Sequence, residues 1–216
     1  MTDYRRTVRI KSKRAKTVDL ASCSHYMTTP LHDPPVIRLD QTDADTQATM
    51  NKSKTALKIQ PSPDYQAKLA TPFAVLGLRI EEDWLTDIEY LPLDTPTLAP
   101  QTPLAREICD QLQAYLADPC FTFDLSMHIG GTVHQRRVWH MILDIPSGTT
   151  RSYAEIAAQL HSAPRAVGQA CGANRLPIII PCHRVIAKSG GLGGFMNASD
   201  GLPLDIKRWL LRHERG

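Results

Sequence analysis

Apolar periodicity begins only near Thr71, so a core for this chain has to be drawn from residues 70 onward. Residues 1–69 string together Thr, Asp, Pro, Lys and Gln, with Asp33-Pro34-Pro35 and the pair Pro61 and Pro63. Such a composition buries too little apolar surface to offset chain entropy, which predicts disorder over 1–69. Met1 and Met50 are both available as translation starts. From Phe73 to Ile80 and from Trp84 to Leu91 run two strand-like segments separated by Glu81-Glu82-Asp83, the pattern of a β-hairpin. Thr102 before Pro103 reads as an N-cap with proline at the first helical position. Leu104, Ile108, Leu112, Tyr115 and Leu116 then recur at helical spacing until Asp118-Pro119 stops them. Phe121, Phe123 and Leu125 alternate with polar neighbours as a further strand, and Gly130-Gly131 marks a domain boundary. The expected organisation is therefore an extension over 1–69, an α/β domain over 70–130 and a second domain over 131–216.

The second domain reads as helical. Thr132 with Gln135 and Ser152 with Glu155 each have capping-box spacing. Val138, Trp139, Ile142 and Leu143 supply the apolar face of the first helix, and Ile156, Ala157 and Leu160 that of the second. The turn His161-Ser162-Ala163 leads into another helix from Pro164 toward Gly172, so two short helices across a tight turn predict a helix-turn-helix.

Composition narrows the class. At 42% hydrophobic and 22% charged residues the chain is an ordinary globular mixture, which excludes collagen and a wholly disordered chain. No stretch approaches the roughly 20 apolar residues of a membrane span. The five cysteines, Cys23, Cys109, Cys120, Cys171 and Cys182, form no CxxC pair, which argues against a zinc ribbon and predicts free thiols. Charge is segregated: residues 1–69 hold 12 Lys and Arg against 7 Asp and Glu, 70–130 hold 2 against 10, and 131–216 hold 11 against 5. Basic ends around an acidic middle suggest a polyanionic partner, nucleic acid first, with a solvated basic face as the plain alternative.

The chemistry concentrates near residue 182. Leu176-Pro177-Ile178-Ile179-Ile180 reads as a buried strand that delivers Cys182 between Pro181 and His183-Arg184. An imidazole and a guanidinium beside a thiol are groups that lower its pKa, and the thiolate is the nucleophile.

The segment Ile178-Ile179-Ile180-Pro181-Cys182-His183-Arg184-Val185-Ile186 resembles the active-site signature of the O6-alkylguanine-DNA alkyltransferases, the methylated-DNA–protein-cysteine methyltransferases. The resemblance continues upstream in Val138-Trp139, Ile145 to Thr150, Ser152-Tyr153 and Arg165-Ala166-Val167-Gly168. Downstream it continues in Lys207-Arg208-Trp209-Leu210-Leu211 and His213-Glu214. It is strong over 131–216, fainter over 70–130 and absent before that. It implies an α+β fold: an N-terminal ribonuclease H-like sheet and helix, then a C-terminal winged helix-turn-helix-type domain carrying the site. It implies direct reversal of damage in double-stranded DNA, with Cys182 taking the alkyl group from O6 of guanine, and from O4-alkylthymine, once per molecule. His183 is then the base acting through a water, Glu214 orients it, and Asn174 braces the active-site region. Tyr153 and Arg165 rotate out and replace the target base, since its O6 lies inside the stack. Ala166, with Ala163 and Ala170, suits close approach of the recognition helix to the minor groove.

The same resemblance makes Gly190-Gly191-Leu192-Gly193-Gly194 the alkyl-pocket loop, with Val185, Phe195 and Met196 around the alkylguanine. Residues Met196 to Pro203 are longer than the expected Gly-Gly link, and Gly172 and His134 stand where many relatives have a basic and an aromatic residue. The chemistry implies no cofactor. Cys109, Cys120 and His128 lack metal spacing, so no zinc is expected. The resemblance implies a monomer located with DNA, in the cytoplasm of a bacterium or the nucleus of a eukaryote. Two other readings differ in their chemistry. A non-enzymatic alkyltransferase-like damage binder would lack the acceptor that Cys182 supplies. A cysteine hydrolase using Cys182 and His183 would leave Arg165 and the basic domain without a role.

Overall fold

The computed structural model describes Val8–Arg9, residues 65–127 and residues 129–216. The disorder expected over 1–69 and the donor His128 otherwise lie outside the described residues. Two pieces of the first segment do belong to the sheet. Val8–Arg9 is strand β1, and Ala67–Ala70 is strand β2, which begins before the boundary expected at residue 70. With β3 (Val75–Glu81), β4 (Trp84–Leu91) and β5 (Ser126–Met127) they form a five-stranded sheet in the order β1-β5-β4-β3-β2. All pairings are antiparallel except β4 with β5. Thus the described residues build a mixed α+β structure of this sheet, a two-stranded ribbon and five α-helices. No helix among them is long and apolar enough to cross a membrane.

The hairpin β3–β4 forms as its alternation predicts. Leu76 pairs with Tyr90 and Leu78 with Ile88, which places these four on one face. Arg79, Asp87 and Glu89 stand on the other face, where Arg79 bridges both carboxylates at 3.1 and 2.6 Å and Tyr65 donates to Glu89. Helix α1 (Pro103–Ala117) starts where Thr102 accepts the N–H of Ala105, and buries Ala105, Ile108, Cys109, Leu112 and Tyr115. The expected strand at Phe121–Leu125 does not form. Gln111 on α1 takes the role of a neighbouring strand, accepting from the N–H of Asp124 and donating to its carbonyl. Phe121 and Phe123 meanwhile stack edge-on beside Tyr115.

Helix α2 (Val133–Leu143) and helix α3 (Tyr153–Gln159) both open with the complete capping boxes read from the sequence, Thr132 with Gln135 and Ser152 with Glu155. Each satisfies two otherwise orphaned backbone N–H groups. Helix α4 (Pro164–Gly172) follows α3 across a turn in which His161 takes a left-handed φ of 49°. Trp139 on α2 reaches α4 by donating its indole N–H to the Ala170 carbonyl at 2.8 Å. Helix α5 (Gly201–His213) closes the chain. One continuous core links the sheet to the helices, from Leu76, Leu78 and Leu85 through Ile108 and Leu112 to Ile142, Ile156, Val185 and Leu210. Cys109, Cys171 and Cys182 are free, but Cys120 is disulfide-bonded, which corrects the expectation of free thiols throughout. Bridging depends on proximity in the fold, which cysteine spacing does not encode.

Candidate active site

The apolar run before Cys182 is not a strand. It is a buried, hydrogen-bonded loop in which Ile180 N–H returns to the Leu176 carbonyl and Ile178 is forced to a φ of 73°. Pro177 and Pro181 remove donors at both ends, so no ladder propagates through it. A β-branched residue with positive φ costs on the order of 1–3 kcal/mol and persists only where its surroundings over-determine it. Asn174 supplies that constraint. Its Oδ1 accepts from Leu176 N–H at 3.0 Å, while Nδ2 donates to the Ile180 carbonyl at 2.9 Å and to Cys182 Sγ at 3.2 Å.

Cys182 itself begins a 3-10 turn (Cys182–Arg184) that runs into β7 (Val185–Ile186), paired in parallel with β6 (Arg151–Ser152). Cys182 is 3% exposed. Burial pushes its pKa up, and the Asn174 amide, the Lys207 cation and the local backbone N–H groups offset that only in part. The resting group is therefore a protonated thiol, and the expected lowering by its neighbours does not carry the balance. The guanidinium of Arg184 is engaged elsewhere, with Nε 2.9 Å and a terminal nitrogen 2.8 Å from Glu214 and the other terminal nitrogen on the Ile145 carbonyl.

Glu214, at the C-cap of α5, is the hub of the site. Its carboxylate accepts from Tyr115 Oη at 2.9 Å and from Arg184, lies 2.9 Å from His183 Nε2, and is reached by Gly148 N–H at 3.4 Å. Burial alone would raise this carboxyl, but hydrogen bonds and charge from His183 and Arg184 hold it down at about 2. His183 is fully buried, and burial lowers its pKa against the pull of Glu214, so the imidazole is neutral near pH 7. Its Nδ1 is buried without a protein partner. A neutral imidazole fixed through Nε2 by an ionised carboxylate leaves Nδ1 as the atom able to take a proton.

Sequence reading missed Lys207. It is completely buried on α5, and its Nζ donates to the carbonyls of Val185, Leu192 and Gly194 at 2.7, 2.6 and 3.2 Å. Burial pushes its pKa down to about 8, which still leaves it charged at neutrality. The signal was available: Lys207 shares the helical phase of Leu204 and Leu211, both buried. The helical spacing places Tyr115 on an apolar face, yet its hydroxyl belongs to the Glu214 network.

Around this centre Tyr153 donates to the Gly194 carbonyl at 2.9 Å, and the ammonium of Lys207 lies 5.7 Å from the Tyr153 ring and 5.8 Å from that of Phe195. Gly193, with a φ of 64°, has no room for a side chain, since a Cβ would stand 2.8 Å from the Tyr153 ring. Phe195 is buried and starts a tight turn in which Met196 and Asn197 both have positive φ; Met196 is 38% exposed. Asn197 donates to the Gly172 carbonyl at 3.0 Å, and a Cβ on Gly172 would lie 1.9 Å from its Oδ1. The longer loop is thereby fastened to the end of α4, and Gly172 is the residue that admits it. Arg165 is exposed on the first turn of α4 beside half-buried Ala166, outside the Cys182 cluster. Ala170 is buried under Trp139 and so is absent from the exposed face of α4.

A sequence-family description, "6-O-methylguanine DNA methyltransferase, DNA binding domain", matches residues 133–216. The constitutive methylated-DNA–protein-cysteine methyltransferase of Bacillus subtilis is 39% identical over 162 residues, spanning 70% of this chain and 96% of that protein. The Methanosarcina mazei protein of the same name is 43% identical over 138 residues, 63% of this chain and 75% of its own. Among solved structures, Mycobacterium tuberculosis OGT in complex with DNA is 40% identical, with a TM-score of 0.58 over 68% of this chain and 91% of that one. Likeness at this identity over nearly the whole of the Bacillus relative places the chain in the methylated-DNA–protein-cysteine methyltransferase family.

Proposed function

We propose that the chain repairs alkylated duplex DNA by moving the alkyl group from O6 of guanine, and from O4 of thymine, onto Cys182. The Sγ–carbon bond forms as the carbon–O6 bond breaks in line. The bonding pair goes to the guanine oxygen, and the thiol proton passes through a water to His183 Nδ1. A thioether is a poor leaving group, so each molecule reacts once. No cofactor takes part in these steps. The observation that carries this reading is a buried thiol held by Asn174 next to a neutral imidazole, whose other nitrogen is fixed by an ionised Glu214.

Recognition follows from the surrounding residues. The Val185 carbonyl, fixed by Lys207, is the acceptor for the guanine amine, and Phe195 with Met196 lines the space beside it. In this reading residues 70–130 are the ribonuclease H-like domain and residues 131–216 the winged helix-turn-helix-type catalytic domain. Helix α4 enters the minor groove as part of a monomer, its exposed Arg165 fills the space of the flipped nucleotide, and Tyr153 crowds the adjacent phosphate. Inserting a side chain into the stack costs a few kcal/mol per step, offset by pocket burial of the base and by phosphate contacts.

Intact-protein mass spectrometry after incubation with a duplex carrying one O6-methylguanine tests the reading. The expected result is a gain of one methylene on Cys182, limited to one equivalent and absent from Cys182→Ala. Damage-selective binding without a mass change would overturn it in favour of a non-enzymatic damage binder.

A further inference from the structure

On the core face of the sheet, Tyr90 presents a phenol whose hydroxyl is buried and has no hydrogen-bond partner. Its ring lies 6.3 Å from Phe195 and 6.1 Å from Phe73. Phe195 in turn lies over the Lys207 ammonium that carries the Val185 carbonyl. Burial raises its pKa well above the ordinary 10, so the phenol stays protonated and able to donate. Tyr90 thus reaches from the N-terminal sheet to Phe195, the residue assigned above to the alkylguanine pocket. An orphaned buried hydroxyl in a native protein calls for an explanation, because leaving it unsatisfied is costly. The buried Tyr115 hydroxyl shows the contrast, since it is satisfied by Glu214.

We propose that Tyr90 determines which alkyl groups are accepted, its hydroxyl pairing with a polar atom carried on the alkyl chain of the lesion, so that hydroxyalkyl and carboxyalkyl adducts are favoured over alkanes of equal length. Resting on the alkyl-transfer reading above, the inference adds a substrate class and a residue outside the catalytic domain. A site built to hydrogen-bond a substrate group discriminates strongly against the analogue that lacks it, because the buried partner is then left unpaired. Tyr90 touches only the chain beyond the reacting carbon, so it acts on selectivity and leaves the displacement itself to Cys182 and His183.

The test uses two duplexes differing in one atom, with O6-(2-hydroxyethyl)guanine or O6-propylguanine, and measures single-turnover transfer to Cys182 by the full chain and by Tyr90→Phe. The hydroxyethyl-to-propyl rate ratio is expected to fall about tenfold in the variant, the scale of one buried hydrogen bond. Comparing one ratio between two proteins cancels the intrinsic reactivities of the two adducts. An unchanged ratio overturns the inference. Wild-type transfer from O6-methylguanine is run alongside: if it proceeds while the ratio is unchanged, only the role of Tyr90 fails, and if it is absent, the alkyl-transfer reading fails and takes this inference with it. Tyr90→Phe deletes an unpartnered oxygen, so its melting temperature is expected to match or exceed that of the wild type. A fall of several degrees would give the hydroxyl a structural partner and overturn the inference as well.

Discussion

Replacing Glu214 by Gln should remove more stability than any ordinary surface change, and two independent routes give its size. A carboxyl held at about 2 against an ordinary value of 4.5 contributes about 3 kcal/mol to folding at neutral pH, at roughly 1.4 kcal/mol per pKa unit. Removing one member of a buried pair costs about 3–5 kcal/mol, because the other charge is left uncompensated. Here that charge is Arg184, whose side chain is only 12% exposed. Since total stabilities run at about 5–15 kcal/mol, a loss near 3 is a large share. The folded pKa of Glu214 lies below the unfolded one, so its contribution is present above about pH 4.5 and disappears as pH falls toward 2. His183, lowered by burial, adds to the acid loss as pH drops below its ordinary 6.5. Urea unfolding of the full chain at pH 7 and again between pH 5 and pH 3 measures both effects. The wild type should lose stability steeply across the acid window, and Glu214→Gln should start about 3 kcal/mol lower and lose less. Single-turnover alkyl transfer should fall about a hundredfold as His183 loses its orienting partner, the lower end of what a positioned base supplies. A variant within about 1 kcal/mol of the wild type at pH 7, or with an undiminished acid loss, would refute the assignment of Glu214 as the hub.

Two further outcomes follow from the same geometry. Lys207→Met leaves the carbonyls of Val185, Leu192 and Gly194 without their donor; about 2–3 kcal/mol of stability and most of the transfer activity should be lost, read by thermal melting and by single-turnover rates. Gly172→Ala places a Cβ 1.9 Å from Asn197 Oδ1, so the Asn197 side chain must move away and its bond to the Gly172 carbonyl is lost; transfer from duplex DNA should slow, with less than about 1 kcal/mol lost in unfolding, and an unaltered rate would show that this fastening is dispensable.

The elements that local chemistry controls were readable in the sequence. The capping boxes at Thr132 and Ser152, the N-cap at Thr102 and the alternation of the hairpin each act over a few residues, and each forms as its spacing indicates. What failed was decided by side chains lying outside the segment whose pattern was read. The aromatics at Phe121 and Phe123 alternate like a strand, but Gln111 answers the backbone of Asp124 before any strand can. The isoleucines before Cys182 have strand composition, yet Asn174 folds them into a loop. Of the site, Cys182 and His183 stand out from the residues themselves, Asn174, Glu214, Tyr153, Val185 and Phe195 come through resemblance, and charge counting sets Lys207 aside as solvated. Tyr90 was hidden because an amphipathic residue on a hairpin face looks the same whether its hydroxyl reaches water, a partner or a binding site.

Burial has opposite consequences for the two halves of the site, and their combination suits a protein that reacts once. It raises the thiol of Cys182, so the fraction present as thiolate at rest is small and chance electrophiles meet little nucleophile. It also lowers His183, which keeps the imidazole neutral, the form that the proposed transfer of the thiol proton requires. In the proposed mechanism Glu214 compensates by stabilising the imidazolium that would form, since its own low pKa keeps it ionised. Proton transfer therefore becomes favourable in step with charge moving off the sulfur, which happens only when an alkyl carbon is in line with Sγ. Tyr115 on α1 holds Glu214 from the N-terminal half of the fold, while Arg184 holds it from the catalytic segment. Displacing the N-terminal half would therefore take the Tyr115 hydroxyl from the carboxylate and leave Arg184 and His183 to orient it alone.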